Sequence, residues 1–377
     1  MLEWKIEKIG TISPDFKIEI KRLWEKDPFS NPFASPSFIE ILVEKVVAKG
    51  QMVIIARGYS DLSILSALWL LRLDKSRNLH FLQYYLCDYA SPIYDSHTSV
   101  EDLSQGIADV IQTIQPRHIL LEPLPEWGHT LCAARDGIKK AGYKYKAVPF
   151  GRVPHVRGAT DSDGVIKFKK LFNRHRSLNN YTNQLKREKG FFFEINETGM
   201  HIDQWADQFC EAHDKRWEPT ATPSKYKDKQ PREDLKKALK AWAKDKVLIR
   251  FSICVVNRRI TFVVGLKTGK EIIYFHTARL PVYNKLGTGN ITIRLMGLWM
   301  ADNGYNTMDF GRGNEAYKYY FANETQRIWR IYASRSVFSL YYLKGCIEEY
   351  IRKKESRIKI WEMIDKKILK SKLFKRF

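Results

Sequence analysis

An α+β fold of two similar halves, each a mixed but mainly antiparallel sheet flanked by helices, is what the sequence predicts. Three observations predict it: the length, a strand meander that occurs twice, and the helix–strand–helix–strand order that follows each meander. The chain has 377 residues, more than one ordinary core organises, so two domains are expected. With 44% hydrophobic, 13% aromatic and 28% charged residues it buries enough apolar surface to fold over most of its length, which excludes intrinsic disorder as the main state. Its 64 Lys and Arg against 42 Asp and Glu leave a formal charge of +22, so the surface attracts anions: phosphate, nucleic acid, acidic glycan or anionic lipid.

The first meander runs from Met52 to Cys87, as MVIIAR, a turn at Gly58-Tyr-Ser-Asp61, LSILSALWLLRL, a turn from Asp74 to Asn78, and HFLQYYLC. Helical text follows over 100–114, then the apolar strand His118–Glu122, a second helix over 128–141 closed by Gly142, and a strand from Tyr143 to Val148. The second meander is LIRFSICV (248–255), a turn at Asn257-Arg258, ITFVVGL (260–266), a turn over Lys267–Lys270, and EIIYFHTA (271–278). After it come the loop PVYNKLGTGN, a helix over 291–303 closed by Gly304, the strand YNTMDF, a short helix over 314–321 and the strand RIWRIYAS.

Between the halves, Arg152 to Glu188 is polar and basic, with Lys169, Lys170, Arg174, Arg176, Lys186 and Arg187; it reads as a solvated linker or as an anion contact. From Arg352 to Phe377, 11 Lys and Arg stand against Glu355, Glu362 and Asp365, a net +8. Ile351, Ile358, Trp361, Ile364, Ile368 and Leu369 recur there near helical spacing, which suits a basic amphipathic helix on an anionic membrane face or packing on the protein's own body. The expected division is 1–155, 156–342 and a basic tail, 343–377.

Cys87, Cys132, Cys210, Cys254 and Cys346 form no CxxC pair, which points to a reducing compartment. The segment from Met1 to Lys8 has no continuous apolar stretch, and the longest apolar run, Leu62 to Leu73, is too short to cross a bilayer. A cytoplasmic, non-spanning protein is expected. Nine histidines without HExxH or paired-ligand spacing give no sign of a metal site. Gly265-Leu-Lys-Thr-Gly-Lys270 is one residue short of a P-loop between its glycines and has Glu271 where Ser or Thr belongs. There is no GxSxG elbow.

Two segments carry chemistry. Tyr283-Asn-Lys-Leu-Gly-Thr-Gly-Asn290 puts two glycines ahead of a helix, where unpaired first-turn N–H groups and the helix dipole suit a pyrophosphate. A plain tight turn needs the same glycines. Met308-Asp-Phe-Gly-Arg-Gly-Asn-Glu-Ala-Tyr-Lys-Tyr-Tyr-Phe321 turns sharply at a strand's C-terminal edge, where open sheets bind ligands; helix capping by Glu315 explains the same charges.

Asp309-Phe-Gly-Arg-Gly-Asn-Glu-Ala-Tyr-Lys318 with Phe321 resembles the DFGRGDEPYK segment of the CelD/BcsL-type (BioF2-like) branch of the GNAT acyltransferase superfamily, itself similar to the FemABX aminoacyltransferases. Asn314 and Ala316 stand where that segment has Asp and Pro. Gly287-Thr288, His213-Asp-Lys-Arg-Trp217, Asn31-Pro-Phe-Ala-Ser-Pro36 and Cys87-Asp-Tyr-Ala-Ser-Pro92 extend the resemblance over nearly the whole chain. The resemblance implies two tandem GNAT-like domains, with acetyl-CoA or another acyl-CoA bound in the second through Lys285, Leu286, Gly287, Thr288, Gly289 and Asn290. The acceptor lies between the copies. Direct transfer needs a base, for which Glu315, Asp309 and His276 stand as candidates, and Tyr317 is placed to protonate the leaving thiolate. Arg216, Arg312 and Lys318 suit an acidic acceptor, and Trp217 a stacking wall.

The expected function is acyl transfer to a sugar, nucleotide-sugar or amine in cell-envelope or surface-polysaccharide synthesis. The alternatives are FemABX-like transfer from aminoacyl-tRNA, with the positive charge as the RNA track, and a non-catalytic basic binding protein.

Overall fold

The computed structural model describes residues 2–61, 63–158, 164–218, 223–281 and 283–354. The first half contains β1 (Glu3–Ile9), α1 (Pro14–Trp24), α2 (Pro36–Ala48), β2 (Met52–Tyr59), β3 (Leu65–Leu73), β4 (Asn78–Phe81), β5 (Ile93–Tyr94), α3 (Val100–Ile114), β6 (His118–Pro125), α4 (Thr130–Lys140) and β7 (Lys144–Arg157). The second contains α5 (Gly164–Asn173), α6 (Arg176–Leu185), β8 (Phe192–Asn196), α7 (Ile202–Trp217), α8 (Lys229–Lys244), β9 (Leu248–Val255), β10 (Arg258–Thr268), β11 (Glu271–Arg279), α9 (Thr288–Asp302), β12 (Thr307–Asp309), α10 (Ala316–Phe321) and β13 (Glu324–Ser334). A last helix, α11, covers 340–354.

Local sequence explains the boundaries. Ser13 caps α1 by accepting the Phe16 N–H, with Pro14 opening the first turn, and Ser99 caps α3 through the Asp102 N–H. β9 is buried at every position, so it reads as a continuous apolar run rather than an alternating one. β4 is shorter than the text HFLQYYLC suggests, because the chain leaves the sheet after Phe81 and carries Tyr84 to Tyr89 across to the second half.

All strands join one sheet in the order β1-β2-β3-β4-β6-β13-β7-β12-β11-β10-β9-β8, with β5 on β3. The order is symmetric about its centre. In each half an antiparallel meander meets the next strand in a short parallel seam, Asn78–His80 with His118–Leu120 in the first and Glu271–Ile273 with Thr307–Asp309 in the second. At the centre β7 and β13 pair antiparallel from Glu324 opposite His155 to Ser334 opposite Lys144. β13 then completes the first half against β6, and β7 completes the second against β12, so each half borrows a strand from the other. Residue 155, the expected boundary, lies within β7.

The polar connection is ordered where it is described. β7 runs on to Arg157, and α5 and α6 bury Phe168, Phe172, Leu178 and Leu185, with Phe172 against Gly297 of α9. Lys169, Lys170 and Arg176 thus sit on helices whose apolar faces join the core, with Arg174 between the two helices and Lys186 and Arg187 in the turn after the second. One core cluster is continuous across both halves, and a second lies under α3 and α4. The Asn31-to-Pro36 segment docks the halves: Phe38 stacks on Trp242 at 4.8 Å, whose Nε1 donates to the Pro32 carbonyl at 3.0 Å.

No described helix is long and apolar enough to cross a membrane. Among the described residues no three His, Cys, Asp or Glu side chains are grouped to hold a metal ion.

Candidate active site

β11 pairs with β12 only over Glu271–Ile273, so from Tyr274 onward the two strands part. At the same point β11 carries a bulge. His276 lies opposite Val264 and Tyr274 opposite Gly265, leaving Phe275 as the extra residue, which bends the strand and re-aims its side chains.

A cavity of about 250 Å³ lies beside the parted strand, lined by Arg216, Tyr274, Arg279, Gly287, Gly289 and Tyr317 among others. The loop enters it through a turn at Asn284–Leu286 and Gly287 at φ +65°, a conformation glycine adopts at least cost. α9 starts at Thr288, so its first-turn N–H groups and positive dipole end face this space. Gly289 has a steric reason: a Cβ there would lie 2.7 Å from an Arg279 guanidinium nitrogen. Arg216 and Arg279 have no carboxylate partner among the described residues, and burial, then the charge of Arg216, lowers the Arg279 pKa. Two arginines held together without a counter-ion beside a helix N-terminus form a site for a polyvalent anion.

Of the six expected loop residues, Gly287, Gly289 and Asn290 line the cavity. Thr288 is buried, with its carbonyl accepting from the Thr292 hydroxyl at 2.8 Å. Leu286 packs on the core, and Lys285 is exposed outside the lining. Tyr317 is in the wall, and burial raises its hydroxyl pKa far above the usual range. Arg216, expected to meet an acidic acceptor, lines this cavity instead. Trp217 stacks on His213, centroids 5.8 Å apart, and is not among the lining residues.

Apart from Tyr317, the 309–318 segment sits elsewhere. Asp309 is 1% exposed and accepts from the Tyr89 hydroxyl at 2.7 and 2.9 Å and from the Gly311 N–H at 2.6 Å, with His155 Nε2 at 3.6 Å. Burial opposes charge on His155, but the Asp309 carboxylate, helped by Glu271, outweighs it and raises the His155 pKa. A carboxylate so enclosed joins the two halves, with Tyr89 from the first and Asp309 from the second; no acceptor proton can reach it. Lys318 is also withdrawn, its ammonium donating to the Arg312 carbonyl at 2.9 Å and pairing with Glu315 at 3.0 Å. Glu315 is half exposed on that pair, outside both cavities. Of Asp309, Arg312, Glu315 and Lys318, Arg312 alone lines a cavity, lying over Phe150 at 5.3 Å and 3.9 Å from the Asp88 carboxylate.

His276 faces the α7–α8 side. Its Nε2 lies 3.4 Å from Lys225 Nζ, and burial, then Lys225 and His213, push its pKa well below the usual value, so the ring is neutral. Lys225 spans the rings of Tyr85 and Tyr226 at 5.4 and 5.1 Å and is lowered to about 8, burial outweighing the attraction of Asp88. Burial raises the Asp88 carboxyl, against the pull of Arg312 and Lys318. Tyr85, whose ring Lys225 covers, also lines a second cavity of about 470 Å³, whose wall includes Lys45, Lys49, Arg72, Tyr84 and Arg312.

Asp88, Lys225, Arg279 and the Lys45–Lys49–Arg72 group were not singled out from sequence. Asp88 lies inside the 87–92 segment that carries part of the resemblance. The others come from four different elements and share no local pattern.

A seam that opens beside a bulge, with an anion-ready helix end beneath it, on a sheet of this order, defines an acyltransferase fold of the GNAT type, present as two tandem α+β units. Residues 173–319 match the family model described as an acetyltransferase (GNAT) domain. No curated protein matches the chain. Among solved structures it is similar to FemX, with TM-score 0.61 and 10% identity over 90% of this chain and 100% of that one. It is also similar to L-PGS from Bacillus licheniformis, with TM-score 0.54 and 11% identity over 92% and 99%. A conserved protein of unknown function from Bacteroides thetaiotaomicron gives 0.52 and 8% over 89% and 100%. At these identities the likeness is one of fold.

Proposed function

We propose that the chain is an acyl-CoA-dependent acyltransferase of the CelD/BcsL type, probing its acceptor at the junction of its halves and serving cell-envelope or surface-polysaccharide synthesis in the cytoplasm. One observation carries this reading: Arg216 and Arg279, without carboxylate partners among the described residues, meet the N-terminus of α9 in the cavity beside the parted strand β11. That set fits a pyrophosphate, with Tyr317 and Tyr274 in the same wall and His276 two residues beyond Tyr274 on β11.

The transfer follows from these positions. An amine or hydroxyl of the acceptor loses its proton to neutral His276 as it attacks the thioester carbonyl, forming the new C–N or C–O bond. The C–S bond breaks and the departing thiolate takes the Tyr317 hydroxyl proton; loss of the acceptor's proton from His276 to solvent and uptake of one by the tyrosinate restore both groups. Lys225 and the buried surroundings keep His276 free of a proton beforehand. The cations of the larger cavity, Lys45, Lys49, Arg72 and Arg312, with the ring of Phe150, favour an acceptor bearing phosphate or carboxylate, such as a nucleotide-sugar.

The test is release of free thiol from acetyl-CoA with phosphorylated, carboxylated and neutral sugars or amines. Anionic acceptors should accelerate release, and His276→Gln should lower it ~10²–10⁴-fold while acyl-CoA still binds. Steeply salt-dependent binding of charged tRNA, with no stabilisation by any acyl-CoA, would replace this reading with aminoacyl transfer.

A further inference from the structure

α11 is an amphipathic helix docked the wrong way round. Its polar and small residues face the body. Glu348 accepts from Arg330 at 3.0 Å and from the Tyr332 hydroxyl at 2.8 Å, Glu349 pairs with Lys146 at 3.2 Å, and Tyr341 stacks on His118 at 4.6 Å. Gly345 is buried so closely that a Cβ would lie 2.9 Å from Lys146 Cβ. The apolar residues point outward: Leu340 is 86% exposed, Ile347 60%, Tyr350 68% and Ile351 48%, with Phe338 at 87% just before the helix. A surface helix normally buries that stripe.

We infer that α11 docks the protein on an anionic lipid bilayer, its apolar face entering the headgroup boundary. Charge selects the occupant. Arg352 to Phe377 carries a net +8 from 11 basic and three acidic residues, and in the sequence this run begins directly after Ile351. A second copy would bring two such tails together and is opposed by their repulsion. Docking has a consequence for the larger cavity, because its wall residue Glu122 pairs with Arg330, which holds Glu348 of α11. The surface that receives α11 therefore adjoins the wall of the acceptor cavity.

The test is co-sedimentation of the full chain with phosphatidylcholine vesicles containing about 30% phosphatidylglycerol, beside pure phosphatidylcholine, at about 0.1 M salt. The protein should sediment with the anionic vesicles only. Leu340→Glu with Ile347→Glu, at exposed positions that leave the fold intact, should lower partitioning at least tenfold, with unchanged Tm and unchanged stabilisation by acyl-CoA. Absence from the anionic vesicles, or equal binding by the double variant, overturns the proposal. So does a dimer in solution that the variant converts to monomer without any vesicle binding, since the apolar face would then belong to a second copy.

Discussion

Asp309→Asn keeps the side chain's size and removes its charge, and so separates a structural junction from a catalytic base. In the native junction both carboxylate oxygens accept from Tyr89, one also accepts from Gly311, and His155 stands 3.6 Å away. The asparagine oxygen satisfies part of this set, and its amide group turns a donor toward donors. Charge-assisted buried bonds of this kind make the loss ~2–3 kcal/mol. With about 2.1 cal/mol/K of unfolding entropy per residue, that lowers the Tm of a 377-residue chain by roughly 3–4 °C. The loss depends on pH. A histidine whose folded pKa is raised contributes stability that is complete below its unfolded pKa near ~6.5 and vanishes as pH rises through the folded value. Asp309, with Glu271, raises His155 against burial and Arg157, so the gap between wild type and variant should be widest at mildly acid pH and narrow as pH rises. Scanning calorimetry of both proteins from about pH 5.5 to 8.5 reads this directly. An unchanged Tm at every pH, together with abolished turnover, would refute the junction and restore Asp309 as the base.

Three further outcomes follow from the geometry. Gly289→Val puts a branched side chain against Arg279 at a Cβ distance of 2.7 Å and should remove stabilisation by acyl-CoA; Gly287→Ala, with no atom within 4 Å, should cost only the left-handed strain of about 1 kcal/mol and keep binding, both read by thermal shift. His213, lowered to about 4 by burial and by Lys225 and Arg216, and His276, lowered by burial and by Lys225 and His213, should make stability fall as pH drops below the unfolded value near ~6.5. His213→Gln should flatten that slope by ~1–2 kcal/mol after allowance for its partial exposure, and a slope unchanged by the variant would remove the histidine cluster as its cause. Gly297→Ala drives a Cβ to 2.4 Å from the Phe172 ring and should destabilise by ~1–3 kcal/mol in urea unfolding, whereas a neutral change would mean α5 is free to shift.

The meanders, the helix order and the two glycine-bearing segments were legible because each depends on local periodicity and turn chemistry. What escaped was whatever depends on strands pairing across the halves. RIWRIYAS reads as a strand of the second half, and only the pairing of β13 with β6 and β7 shows it between two strands of the first. That pairing also decided the fate of Asp309. At the edge of a strand it reads as an available carboxylate, but the loop from Cys87 to Pro92 crosses over and closes Tyr89 onto it. His276 gained for the complementary reason: a one-residue bulge at Phe275, invisible to a period-two pattern, sets it beside Lys225. Residues 355–377, the remainder of the expected basic tail, lie outside the described residues.

The central claim is that the cavity between β11 and the start of α9 holds the diphosphate of an acyl-CoA. Calorimetric titration of acetyl-CoA into the wild-type protein and into Arg216→Gln with Arg279→Gln tests it most directly. At a ligand concentration of about 100 times Kd the wild type should gain ~2.7 kcal/mol of stability, and the double variant should lose nearly all of that gain at an unchanged intrinsic fold. Equal binding heat and affinity in both proteins would place the ligand elsewhere and contradict the account.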